Sequence, residues 1–430
     1  MGLKRHHPEH GREAERVTSL TGEMSESRLP NGVRVLTERI PGVRSVALGV
    51  WVRQGAAHES TEVMGASHLL EHMVFKGTGN RTAREIALAL ESLGGSLDAY
   101  TSREHTSFQA RVLDEHFPLA LDVLADLTLN PLIQEDDLTL ERQVVLEEIA
   151  TVEDTPDDLV FDLHGAKLWS DHPYGQTILG TSESVGGMTT TVLKEIHGAR
   201  YNGKNLIVAA AGQIHHEDVV EQVEALFGSV PPGVLTPTLG EPGTPSLGSF
   251  HQERASAQTH LVFGGRVPGH SDPSRYPLAI LSSAVGGGMS SRLFQRIREE
   301  LGLAYTVFTF QSFYSRAGTT GVYVGTRPAT AEKAAGAVRE ELARVSEASL
   351  PDHELEQTKQ QLKGQIMLSL ESTGARLYRL AGFALHEEPF LSLDQVLKRL
   401  DSVTPEDVAQ AAKNHLDPEK LLLLSLGPSN

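Results

Sequence analysis

The chain has 430 residues, enough for two or more domains with substantial cores, in an ordinary globular composition. It contains no cysteine, which excludes disulfides, thiolate nucleophiles and cysteine-based zinc sites. A net charge of −18 disfavours nucleic acid as a partner, and no apolar run of roughly 18 residues exists to span a membrane.

Residues 1–27 are polar and charged, without the apolar stretch of a secretory signal, and read as a disordered tail with the cytoplasm as default compartment. His6, His7 and His10 within it offer at most weak metal binding. Gly32–Arg39 and Ser45–Gln54 predict strands, the second with Val46, Leu48, Val50 and Val52 in alternation. A helix is predicted around His68, and Gly77-Thr78-Gly79-Asn80 stops it. Thr82-Ala83-Arg84-Glu85 is a capping box opening a helix that ends at Gly94-Gly95. Strands follow at Ser96–Tyr100 and Thr106–Val112, then helices from Asp114 to Asn130 and from Gln134 past Ile149. Asn205–Ala211 reads as a buried strand, and a helix runs on to Phe227.

Residues 229–249, rich in Pro and Gly and without periodicity, read as a linker. Beyond it the order returns. Thr259–Phe263 predicts a strand, Tyr276–Val285 and Ser291–Leu301 helices, Ala304–Gln311 and Thr319–Gly325 strands. Helices at Ala331–Val345 and Asp352–Leu370 follow, and Lys420–Leu426 closes the half as the counterpart of Asn205–Ala211. The halves read as two copies of one unit. No P-loop, G-x-G-x-x-G or G-x-S-x-G is present, and Gly286-Gly287-Gly288 is too short to signal nucleotide binding.

The chemistry concentrates in His68-Leu69-Leu70-Glu71-His72. At i, i+4 on a helix both imidazoles leave one face a turn apart, the spacing two nitrogen ligands need on one zinc ion. Glu71 reaches the same edge, so a general base accompanies the pair. The order H-x-x-E-H is the inverzincin signature. A third ligand has to be another His or a carboxylate. The best candidates lie on the helix Glu141-Arg142-Gln143-Val144-Val145-Leu146-Glu147-Glu148, where Glu141 and Glu148 share a face and Glu147 points away. Neither Tyr276–Val285 nor Ser291–Leu301 carries such a His pair, so the second copy lacks the metal helix.

These stretches together resemble the pitrilysin family, which includes insulin-degrading enzyme and the mitochondrial processing peptidases. His68-x-x-Glu71-His72 with Met73 to Thr78 is similar to its metal helix and exit turn, and Glu141-Arg142-x-Val144-Val145-x-x-Glu148 to its second metal-binding segment. Gly94-Gly95-x-x-Asp98-Ala99-Tyr100-Thr101-Ser102-x-Glu104-x-Thr106 resembles its edge strand beside the zinc. Gly287-Gly288-Met289-Ser290-Ser291-Arg292-Leu293, and Arg298 through Tyr305, resemble its C-terminal substrate-contacting segment. The resemblance implies His68, His72 and Glu148 as ligands of one zinc per chain, Glu71 as general base and Glu141 as the carboxylate that orients the site. It implies Arg298 and Tyr305 as contacts to the substrate and its developing oxyanion, and Asp98, Ala99 and Tyr100 as the strand that binds peptide. Asp98 departs from the Asn common in the family, which removes a side-chain amide contact there.

The fold expected is α/β (α+β), with two homologous tandem domains, each a mostly antiparallel sheet packed with helices. Residues 28–228 would form the catalytic domain and residues 250–430 the substrate-contacting one. The expected function is a zinc-dependent endopeptidase acting on short or unfolded polypeptides inside a chamber. Family members build that chamber from four such units, so a homodimer, or a heterodimer with a related chain, is implied. Arg298 and Tyr305 would then reach the zinc of the partner. The alternative is a non-catalytic peptide-binding or scaffold subunit of a heteromeric processing peptidase.

Overall fold

The computed structural model describes residues 15–19 and 22–429. His6, His7 and His10, with the metal-binding reading attached to them, lie outside the described residues. Strands β1 (Glu15–Ser19), β2 (Gly22–Arg28), β3 (Arg34–Arg39), β4 (Ser45–Val52), β5 (Ser96–Thr101), β6 (Thr106–Leu113) and β7 (Leu206–Gly212) form one sheet. Their order is β1-β2-β3-β7-β4-β6-β5, antiparallel except where β3 lies beside β7. The second sheet contains β8 (Gly248–Glu253), β9 (Thr259–Pro268), β10 (Ala304–Phe313), β11 (Ala317–Thr326) and β12 (Leu422–Gly427). It runs β10-β11-β9-β12-β8, with β12 and β8 as its parallel pair. Read from β5 inward, the first sheet has the same order with its parallel pair in the same place. The repeat seen in the sequence is therefore a repeat of topology.

The helices of the first half are α1 (Ala66–Val74), α2 (Ala83–Glu91), α3 (Phe117–Leu129), α4 (Glu135–Asp154), α5 (Pro156–Trp169), α6 (Ser182–Gly186), α7 (Thr190–Arg200) and α8 (His216–Phe227). Those of the second are α9 (Arg275–Gly286), α10 (Ala331–Ala348), α11 (Asp352–Ser369), α12 (Thr373–Leu385), α13 (Leu393–Asp401) and α14 (Pro405–His415). The segment expected as a helix over Ser291–Leu301 is helical, with π-helical geometry at Phe294–Glu300.

One expectation fails. Residues 15–19 and 22–27, read as part of a disordered tail, lie in two paired strands on the first sheet. β2 pairs with β3 from Glu23↔Arg39 to Arg28↔Arg34, and Arg34 Nε donates to Glu26 across the pair at 2.7 Å. Backbone pairing and charge hold β2 to β3, and Met24 is buried. A polar, charged strand of this kind suits the margin of a sheet and has no apolar period to reveal it.

Each sheet is apolar on both faces, and each half covers the second face of the other. Val160, Leu168 and Trp169 of α5 pack with Val262, Leu422, Leu424 and Leu426 of the second sheet. Leu377, Leu380, Ala381 and Ala384 of α12 pack with Leu36, Trp51, Ile207 and Ala209 of the first. The C-terminal carbonyls of α12 are taken by guanidinium groups of the first half. Arg53 donates to Leu385 O at 2.7 Å and to Ala384 O at 2.6 Å, and Arg34 to Ala384 O at 2.7 Å. Cations at a helix C-terminus also oppose its dipole. Among the described residues no helix is long and apolar enough to cross a membrane.

Histidines collect where the halves meet. His58, His105 and His386 border a cavity of about 340 Å³ at the junction, and the His386 ring stacks on His270 at 3.8 Å between centroids. Burial, then neighbouring positive groups, hold His58 and His105 down at about 4 and His386 at about 3. A histidine whose folded pKa is depressed contributes stability that is complete above its unfolded value of about 6.5 and is lost as pH falls through the folded value. The melting temperature is therefore expected to drop between about pH 6.5 and pH 4, and less steeply in His386→Gln. A pH–melting profile identical in that variant would remove the junction histidines as the cause.

Candidate metal centre

The site is built on α1, whose first residue follows a turn that only glycine can make. Gly65 sits at φ +89°, and a Cβ there would meet Leu179 O at 2.4 Å. The helix start is capped from a distance. The Glu59 carboxylate accepts from the Gly65 N–H at 2.7 Å and the Ser67 N–H at 2.5 Å. Burial pushes Glu59 up to about 7 although those donors pull it down. Ala66, Leu69, Leu70, Met73 and Val74 are buried in the core, which leaves His68, Glu71 and His72 on the half-buried face. The two imidazoles stand 4.7 Å apart between ring centroids.

Helix α4 packs against α1 through Leu138, Val145 and Ile149, with Glu141 buried on the same side. It brings Glu148 to the histidines: Oε2 lies 3.5 Å from His68 Nε2 and Oε1 lies 3.6 Å from His72 Nε2. Ligand atoms of His68, His72 and Glu148 all lie within 4.8 Å of one another, the one such group of three among the described residues. Glu147 points to solvent. Two atoms each ~2.1 Å from one tetrahedral ion stand ~3.4 Å apart. The observed separations are near that value and too long for good hydrogen bonds.

The surrounding groups fit a cation between them. Glu141 Oε2 accepts from His72 Nδ1 at 3.0 Å, which fixes the tautomer and leaves the Nε2 lone pair facing Glu148. Lys76 pairs with the other oxygen of Glu141. Burial, and then His72, hold His68 down at about 4, so it stays neutral as a ligand must. Burial raises Glu71 as well, while the Thr101 hydroxyl donates to its Oε2 at 2.6 Å and draws it back. His68, His72 and Glu148 could hold a zinc ion; Glu71 stands beside them as a proton acceptor with one oxygen uncommitted among its described contacts.

The remaining expected residues fall into two groups. Asp98, Ala99 and Tyr100 lie on β5, the terminal strand of its sheet. Ala99 packs toward the core that carries α1, and Tyr100 faces the other way, its hydroxyl 2.9 Å from His105 Nε2. Arg298 and Tyr305 pair with each other instead of with the triad. The Arg298 guanidinium lies 4.2 Å from the Tyr305 ring centre and 4.7 Å from that of Phe294, and donates to Tyr305 O at 3.1 Å. Tyr305 is 75% exposed, at a shift in the β10–β11 register. Arg298 rides on the π-helical turn. Bulges and π-turns both re-aim side chains and recur at functional sites.

Several participants carried no assignment from sequence: Glu59, Lys76, Thr101 and Tyr201. Lys76 and Thr101 stand inside the motifs, so their positions were visible and their partners were not. Tyr201 is buried, and burial with the nearby Glu71 carboxylate keeps its hydroxyl protonated. Only its place in the fold connects it to the site.

Residues 34–182 match the sequence profile described as Insulinase (Peptidase family M16), and residues 187–362 the one described as Peptidase M16 inactive domain. An uncharacterized zinc protease of Streptomyces coelicolor is 38% identical over 404 residues, 92% of this chain and 88% of that protein. One of Mycobacterium leprae is 39% identical over 94% of this chain and 92% of its own length. The uncharacterized zinc protease YmxG of Bacillus subtilis is 38% identical over 93% of this chain and 97% of its length. Among solved structures, the peptidase M16 inactive domain from Pseudomonas fluorescens superposes with a TM-score of 0.89 at 21% identity, over 95% of this chain and 98% of that one. A protease from Helicobacter pylori does so with a TM-score of 0.85 at 21% identity, over 97% and 100%. The solved structures share the two-sheet fold.

Proposed function

The chain belongs to peptidase family M16, and we propose that it is a zinc-dependent endopeptidase that cleaves short or unfolded polypeptides. The observation that carries this reading is the convergence of His68, His72 and Glu148 beside Glu71. His68 Nε2, His72 Nε2 and the Glu148 carboxylate would hold the ion. Zinc, when bound, supplies a Lewis acid for the scissile carbonyl and a water that ionises near neutral pH.

The chain's own residues do the rest. Glu71, raised by burial and oriented by Thr101, takes the proton of the attacking water and passes it to the leaving amine. Glu141 holds His72 in the ligating tautomer, and Lys76 pairs with the other oxygen of Glu141. Peptide adds to the free edge of β5, so its backbone is read and its side chains alternate between the two faces.

A dimer of two-domain chains would complete a four-unit chamber, with Arg298 and Tyr305 serving the partner's site. What supports the intermolecular reading is the position of Tyr305 along β10. Ser315, just past the far end of that strand, bonds Glu104 beside β5. From Tyr305 to Phe313 an extended strand spans roughly 26 Å. The likeness of residues 187–362 to an inactive domain favours a second reading, a non-catalytic peptide-binding subunit.

Elemental analysis is expected to find one zinc per chain, and a quenched peptide to be cleaved in a chelator-sensitive way. Glu71→Gln should keep the metal and lose activity by about 10²–10⁴-fold, the usual worth of a general base. Metal without cleavage of any peptide would establish the non-catalytic reading instead. Glu141→Gln is expected to weaken zinc about 10–100-fold in a competitive titration, as loss of a ligand-orienting carboxylate does. Unchanged zinc affinity there would show that His72 is oriented by something else. Mixed dimers of Glu71→Gln and Arg298→Ala chains should regain part of the activity; none regained would place each site within a single chain.

A further inference from the structure

Away from the triad, the second half carries a cavity of about 420 Å³ whose walls include Phe313, Ile366, Leu370, Tyr378, Gly382 and Phe383. Two separate contacts bring it to the end of β5. Tyr378 of α12 lies edge-on to Trp51 and tilted against Tyr100, at 6.4 and 6.2 Å between ring centroids. Ser107, the residue paired with both Trp51 and Tyr100, is small enough to leave room for that ring. Phe313 ends β10 shortly before Ser315, whose N–H donates to Glu104 at 2.9 Å just past β5. Tyr378 remains 46% exposed, so the wall next to β5 is not sealed.

The alternation of β5 decides what reaches this cavity. Leu97 and Ala99 pack toward the core with α1, and the Thr101 hydroxyl meets Glu71. Tyr100 points to the opposite face, toward α12. A peptide strand added to β5 inherits the same alternation. Its residues beside Ala99 and Thr101 project toward α1 and the triad. The residue beside Tyr100 projects to the α12 face, where Tyr378 and the cavity begin.

We propose that this cavity is a specificity subsite for one large apolar or aromatic side chain of the bound peptide, at the position paired with Tyr100. The proposal rests on the peptidase reading above. Continuity names the occupant: the rings of Trp51, Tyr100 and Tyr378 run from the sheet into the wall. The cations at the rim are already engaged, Arg275 with Glu388 at 2.9 Å and Arg379 with the Leu391 carbonyl. An acidic side chain would therefore meet guanidinium groups already occupied among the described residues, and an apolar one finds ring and aliphatic surface.

The test uses the full-length Glu71→Gln protein, which should bind peptide without cutting it, and fluorescent peptides in which Phe, Ala or Asp is walked along a constant sequence. One position is expected where Phe binds about ten-fold or more tighter than Asp, in line with apolar-pocket discrimination. Gly382 lines the cavity and a Cβ built there meets no atom within 4 Å, so Gly382→Leu is the substitution chosen to fill it. That substitution should bring the Phe/Asp ratio at this position close to one and leave the ratios at both adjacent positions unaltered. Ala375→Leu provides a second filling variant, and melting curves confirm that both are folded. No preferred position, or a preference that both filled variants retain, overturns the subsite. Loss of dimer in Gly382→Leu with the preference intact would give the cavity to a second copy of the chain and also overturn it. Cleavage of the same peptides by the parent protein separates the two readings. Preference without cleavage keeps the subsite and sinks the peptidase, while cleavage without preference does the reverse.

Discussion

A sheet with two apolar faces has to be covered twice, and in this chain the second cover of each sheet comes from the other half. The consequence reaches beyond stability. Because α12 must lie on the first sheet, its outer side chains, Tyr378 among them, are brought to β5 from the second half. Because the β10–β11 turn abuts the residues after β5, Glu104 is drawn into contact with Ser315 and Tyr174. The β5 edge is thereby bordered by groups remote in sequence, and their positions follow from the packing of the two halves.

Electrostatics at the metal centre follow a similar logic at shorter range. Glu141 is buried, and a buried carboxylate is costly unless paired. His72 and Lys76 occupy its two oxygens. Glu59, equally buried, has no charged partner among its described contacts and is held by backbone N–H groups at the start of α1 and the Ser67 side chain, and burial raises its pKa. Glu148 is the more exposed acid, at 40% for its side chain, and it carries no such fixed partner. The acid left without a committed donor is the one whose oxygens face both imidazoles, which is the distribution a ligand needs.

Much of this was legible in the sequence because the relevant signals are local. His68 and His72 are one turn apart, the capping box at Thr82 forms as read, and the alternation of Val46 to Val52 put the right face of β4 in the core. The spacing of Glu141 and Glu148 on one helix narrowed the third ligand to a face. What remained hidden depends on contacts between distant segments. The strands Glu15–Ser19 and Gly22–Arg28 are polar, and their pairing is a backbone property. The covering role of α12 depends on Trp51 and Ile207, far away in sequence. Thr101 and Lys76 carry chemistry only through what folding places beside them. The π-turn at Phe294–Glu300 has the composition of an ordinary helix, and its widened ladder is not encoded in a period.

The duplication also explains why a site arises once. In the first half the segment after β4 buries one face of α1 and leaves the other for His68, Glu71 and His72. In the second half the corresponding helix α9 is buried through Leu278, Ile280, Leu281 and Val285 and has no histidine pair. The next segment gives α2 in the first half and the π-turn with Arg298 in the second, each just before an edge strand, β5 or β10. The two copies thus keep the same scaffold and the same free edge but present different chemistry beside it: two imidazoles and carboxylates on one, an exposed cation and phenol on the other. A reaction that needs proton removal on one side of a carbonyl and charge stabilisation on the other is served by such a division only if the two edges face each other. Within one chain they meet at the Glu104–Ser315 contact, with Tyr305 at the far end of β10, and the dimer proposed above is the arrangement that would let the two edges face each other.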